Sequence, residues 1–204
     1  MSWRDYVKKS RIALDLERSL KPTITFHDGG VSSNANTDVL NRIIHLDISQ
    51  DPMKCALSYS YELVNLNNAT KYNRIINQAR IGHMTKVGFV KSIIKLEAEA
   101  AFFRCRVFRD FSVPDRDVPF RKSYLDIYDS CIDKGLEKDQ IINKISLYMS
   151  ENGLVRGRFS VKKYYADLYD SYVRDKQMPS FYAQPQHKKI VVSSDDSKNT
   201  PKMS

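Results

Sequence analysis

The chain has 204 residues and is 42% hydrophobic, enough for one domain with a real core, or for a domain with an appended lobe. Lysine and arginine (33) exceed aspartate and glutamate (24), a net charge of +9 that suits an acidic protein, nucleic acid or anionic lipid without choosing among them. No run approaches the roughly eighteen apolar residues of a membrane-spanning helix, and the charged start MSWRDYVKKSR lacks the apolar centre of a classical signal peptide.

In chain order, residues 3–20 carry apolar side chains at Val7, Ile12, Leu14, Leu16 and Leu20, which predicts an opening helix that Pro22 stops. Residues 23–26 read as a short strand. His27-Asp28-Gly29-Gly30 and the VSSNANT that follows read as a turn between strands, because the glycines lack the spacing of a phosphate-binding loop. Ile43, Ile44, Leu46 and Ile48 form a β-branched run suited to a second strand. Asp51 caps, and Pro52 opens, an amphipathic helix carrying Tyr61, Glu62 and Asn65; Tyr61 and Asn65 are four apart and face the same way. Thr70 is the expected cap of a helix running to about Arg80, which Gly82 ends. His83 reads as a surface turn residue, with His27, His45 and His187 distant in sequence and without metal-type spacing.

Residues 85–110 form the longest predicted helix. Lys91, Lys95 and Glu99 share one face, so Glu99 is the expected ion-pair partner of Lys95, and Glu97 is the inward carboxylate. Buried beside Glu62, it would force one of the two to hold a proton unless a cation, or Arg104, Arg106 or Arg109, neutralised the pair. Residues 112–121, with Pro114 and Pro119, read as a connector to a helical, tyrosine-rich lobe. There Tyr124-Leu-Asp-Ile-Tyr128 recurs as Tyr165-Ala-Asp-Leu-Tyr169. Each tyrosine pair lies along one helix face, as core packing with wet hydroxyl tips or as a partner-binding surface. Arg156, Arg158, Lys162 and Lys163 interleave with aromatics in a basic patch, and residues 178–204 have the composition of a disordered tail. Cys55, Cys105 and Cys131, an odd count at unrelated spacings, read as buried free thiols.

The run Tyr61-Glu62-Leu63-Val64-Asn65 stands where a metallopeptidase helix has H-E-x-x-H, and Glu97-Ala98-Glu99-Ala100 matches the Glu-x-x-Ala form of the helix that supplies a gluzincin its glutamate ligand. Over residues 23–110 the chain resembles a degenerate, gluzincin-like zincin domain, as in small bacterial toxin and effector proteins. The resemblance implies an α+β, mostly helical fold in which a small N-terminal sheet edge packs on a central helix, followed by a helical C-terminal lobe. The expected divisions are 1–111, the connector 112–121, the lobe 122–177 and the tail 178–204. It also implies an inherited cleft containing Asn65, Glu97 and Glu99. Tyrosine and asparagine are poor zinc ligands, and a catalytic zinc needs three protein ligands, so neither zinc nor another cofactor is expected.

The leading expectation is a non-catalytic, metallopeptidase-like protein that binds another protein, either cytoplasmic or delivered into a host cell by a specialised secretion system. A metal-dependent hydrolase is the alternative, with Glu62 as general base or acid, Tyr61 as hydrogen-bond donor, and Glu97 with His83 or His45 as partial ligands. A third is a basic module binding RNA or anionic lipid.

Overall fold

The structure, a computed structural model, describes residues 1–29, 35–38, 41–155 and 159–174. Arg156, Arg158, His187 and the tail 178–204 lie outside the described residues. The fold is α+β and mostly helical, with a small sheet near the N-terminus.

The opening segment forms two helices, α1 (Trp3–Lys9) and α2 (Arg11–Leu20), where the apolar periodicity predicted one. The break falls at Ser10, whose extended backbone is fully buried and whose hydroxyl donates to Asp110 at 2.5 Å. A capping box between Ser2 and Asp5 starts α1, and Lys21 in the left-handed region ends α2.

Strands β1 (Thr23–His27), β2 (Ala35–Asp38) and β3 (Ile43–Asp47) form a sheet in the order β1-β3-β2. β1 runs parallel to β3, with Thr25 opposite His45 and His27 opposite Asp47; β2 runs antiparallel, with Thr37 opposite Ile44. Alternation sends Ala35, Thr37, Ile44 and Leu46 inward, all buried, onto helix α3 (Pro52–Asn67). β2 went unread in the sequence because its residues, Ala-Asn-Thr-Asp, carry turn chemistry.

Asp51 caps α3 by accepting from the amides of Met53 and Lys54, and Pro52 occupies the first turn. Helix α4 (Ala69–Arg80) follows Asn68 directly, and Asn68, rather than Thr70, stands at its N-cap. Gly82 takes a φ of 77°, which the turn after α4 requires. Thr85 caps the 25-residue α5 (Lys86–Asp110) by accepting from the Gly88 amide.

α5 is buried on most sides, and its Ala98, Ala100 and Ala101 let neighbouring helices approach closely. α3, α4, α6 (Lys122–Asp133), α7 (Lys138–Asn152) and α8 (Val161–Arg174) all pack on it. One continuous cluster of buried side chains runs from Val7 through α5 to Tyr172, spanning both sides of residues 112–121. Each large aliphatic or aromatic side chain in it contributes about 1.5–3 kcal/mol by leaving water. A short 3-10 turn, Asp115–Asp117, sits in that connector, and Arg109 ties it to α6 by pairing with both Asp115 and Asp129. A two-residue ribbon, β4 (Leu154–Val155) and β5 (Phe159–Ser160), leads into α8.

Candidate functional site

Glu62 sits in the middle of α3, facing the sheet, and Glu97 sits in the middle of α5. The extensive packing of α3 against α5 places both in one polar compartment, with Glu62 buried and Glu97 part-buried. Glu62 is 8% exposed and Asn65 3%.

Thr37 of β2 donates its hydroxyl to Glu62 Oε2 at 2.7 Å, and Asn65 Nδ2 donates to the same oxygen at 3.1 Å. The Tyr72 hydroxyl of α4 lies between Asn65 Oδ1 at 3.3 Å and Glu97 Oε1 at 3.1 Å, within donating reach of both. Glu97 Oε1 also accepts from the Tyr165 hydroxyl of α8 at 2.9 Å, and Oε2 accepts from the Tyr61 hydroxyl at 2.5 Å. The network thus ties β2, α3, α4, α5 and α8 together through side chains alone. Buried polar groups are tolerated when they are mutually satisfied in this way.

Burial pushes the Glu62 carboxyl up to about 7; the hydrogen bonds from Thr37 and Asn65 oppose that rise, repulsion from Glu97 adds to it, and the Arg104 charge counters it. The Tyr61 hydroxyl is held well above its ordinary range by burial and then by the Glu97 charge, so it is a donor across the physiological range. Of the three arginines, Arg104 lies nearest this chemistry: its guanidinium stacks 4.8 Å from the Tyr61 ring centroid and 4.5 Å from that of Phe120. Arg109 is committed to Asp129 and Asp115, and Arg106 is exposed.

Glu99 does not join the network. Two residues on from Glu97, and so on nearly the opposite side of α5, it accepts from Asn68 at 3.0 Å and pairs with Lys71 at 3.4 Å and Lys138 at 3.3 Å, lysines of α4 and α7 in place of the expected Lys95. Burial alone would raise its pKa, but these contacts, led by the Asn68 hydrogen bond, outweigh it and lower the value.

The tyrosine repeats turn their rings inward. Tyr124, Tyr128 and Tyr165 are buried: Tyr124 meets Tyr148 edge-on at 5.7 Å, and Tyr128 packs on Phe102 at 5.5 Å. Tyr169, part-buried, packs on Phe89 and donates to the Met84 carbonyl at 2.9 Å. Lys162 and Lys163 are exposed near the start of α8, with Lys163 paired to Asp167 at 3.1 Å.

Neither histidine proposed as a partial ligand joins the carboxylates. His45 alternates with the inward Ile44 and Leu46 and therefore points to the outer face of the sheet, and His83 is exposed in the turn after α4. Among the described residues, no three His, Cys, Asp or Glu side chains converge as metal ligands do. No described helix is long and apolar enough to cross a membrane.

Of the residues singled out in the sequence, Tyr61, Glu62, Asn65 and Glu97 come together in one compartment, while Thr37, Tyr72 and the part played by Tyr165 were missed. Tyr72 shares the buried face of α4 with Ile75, Ile76 and Ala79, a spacing that marks it as core and not as a hydroxyl donor. No family model matches the chain, and neither a curated protein nor a solved structure matches it.

Proposed function

We propose that the chain is a non-catalytic protein of zincin-like arrangement that acts by binding another protein. The observation that carries this reading is the occupancy of Glu97. A carboxylate offers about four lone-pair sites, and Tyr61, Tyr72 and Tyr165 direct three hydroxyls at them. Where a hydrolase would present an open metal position and a water, this chain presents phenols held by packed helices.

Glu62, held near 7, would have the proton affinity of a general base. Its bonds to Thr37 and Asn65 and its burial leave it serving the interior instead. A surface for association is available at the sheet edge, where Phe26 is 52% exposed and Ile48 46% exposed beside the part-buried Trp3.

The test is a peptide-library hydrolysis assay with and without added zinc, comparing the wild type with Glu62→Gln, run beside affinity capture with the same two proteins. The reading expects no turnover above buffer in either protein, and one stoichiometric protein partner retained by both. Turnover in the wild type that Glu62→Gln abolishes would overturn it.

A further inference from the structure

The parallel pairing of β1 with β3 brings together two histidines eighteen residues apart. His27 Nε2 and His45 Nδ1 lie 3.1 Å apart, with ring centroids at 5.3 Å and the planes inclined by 52°. We propose that His27 and His45 form a binding site for a borderline divalent transition metal, of the Zn2+ or Ni2+ class, on the outer face of the sheet.

The geometry is close to that of a two-imidazole chelate. With metal–nitrogen bonds of about 2.0–2.1 Å, two imidazole nitrogens stand about 2.9 Å apart at a right angle and about 3.3 Å apart at the tetrahedral angle. The observed separation falls between these values. The two nitrogens are now within hydrogen-bond distance, with donor and acceptor set by the tautomers, and turning each ring off the line between them aims both lone pairs at a common point. On binding, His27 carries its proton on Nδ1 and His45 on Nε2, so the neutral pair releases no net proton; the tautomers exchange through solvent.

The surroundings favour a cation. Alternation places Asn36 and Asp38 of β2, and Asp47 of β3, on the same outer face as the two imidazoles. The Asp38 charge acts on His45, and Asp47 lies opposite His27 in the register. Both imidazoles are part-exposed, so a hydrated ion can reach them and keep waters in its remaining positions. This site is separated from the Glu62 and Glu97 network by the sheet itself, and it stands whether or not the proposed function holds.

The test is calorimetric titration of the full chain with Zn2+, with Mg2+ as the hard-cation control, together with histidine ring resonances followed by NMR. The expected result is about one Zn2+ per chain, no binding of Mg2+, and shifts confined to the His27 and His45 rings. His27→Gln and His45→Gln each weaken binding at least about tenfold, while His83→Gln, His187→Gln and Glu97→Gln leave it unchanged. The wild-type resonances decide the question even if a variant misfolds. Absence of saturable Zn2+ binding, or binding that survives in both sheet variants, would overturn this proposal. Binding lost in Glu97→Gln alone would overturn the proposed function as well.

Discussion

Replacing Glu62 by glutamine isolates the contribution of the buried carboxyl. A group held at about 7 in the fold, against 4.5 when free, keeps its proton in the native state over a pH range in which the unfolded chain has lost it. The native state therefore binds more protons than the unfolded state between those values, and stability falls as pH rises through that window. Each pH unit of difference is worth about 1.4 kcal/mol, so the full penalty above pH 7 is about 3 kcal/mol. The substituted amide stays neutral at every pH and keeps an oxygen for Thr37 and Asn65. Urea unfolding followed by circular dichroism at pH 5, 6, 7 and 8 should find the two proteins within about 1 kcal/mol at pH 5. At pH 8 the variant should be the more stable by about 2–3 kcal/mol. Groups common to both proteins cancel in this difference. A difference that stays flat from pH 5 to pH 8, or that favours the wild type increasingly at high pH, would refute the placement of an ionisable Glu62 in the core.

Tyr165→Phe keeps the buried ring but removes the hydroxyl that donates to Glu97 Oε1, and denaturant unfolding at pH 7 should show a loss of about 1–3 kcal/mol. Gly153→Ala places a methyl 2.2 Å from the Met149 carbonyl oxygen and 2.7 Å from Val161 Cγ2. The φ of −68° is ordinary, so contact rather than conformation sets the cost, about 1–3 kcal/mol, visible as a lowered Tm. Burial pushes the Cys55 and Cys105 thiols up to about 12, and Cys131 is buried as well. A chromogenic thiol reagent at pH 8 should therefore find all three unreactive in the native chain and reactive in denaturant.

Where local chemistry decides the structure, the sequence was legible. Asp51-Pro52 marks the start of α3, Thr85 starts α5, and the β-branched run marks β3, because caps and side-chain preference act within a few residues. Tertiary partners were not legible. The apolar periodicity continues straight across Ser10, and only its burial against Asp110 explains why the helix breaks there. The spacing of Glu99 and Lys95 suggested an ion pair, but lysines from α4 and α7 reach the carboxylate instead. In the same way, four-residue spacing shows that Tyr165 and Tyr169 share a face without showing that Glu97 lies across from it. His27 and His45 meet because β3 returns parallel to β1, a long-range pairing that leaves no mark in the spacing of either strand.

The central claim is that the Glu62 and Glu97 pair is a closed, hydrogen-bonded centre rather than a metal site. Its most direct test is the zinc content of the wild type, Glu62→Gln and Glu97→Gln, each loaded with zinc, freed of excess and measured by elemental mass spectrometry. The account predicts the same zinc content in all three proteins, with any zinc retained in the wild type removed by His27→Gln. Stoichiometric zinc in the wild type that disappears in Glu97→Gln would contradict it.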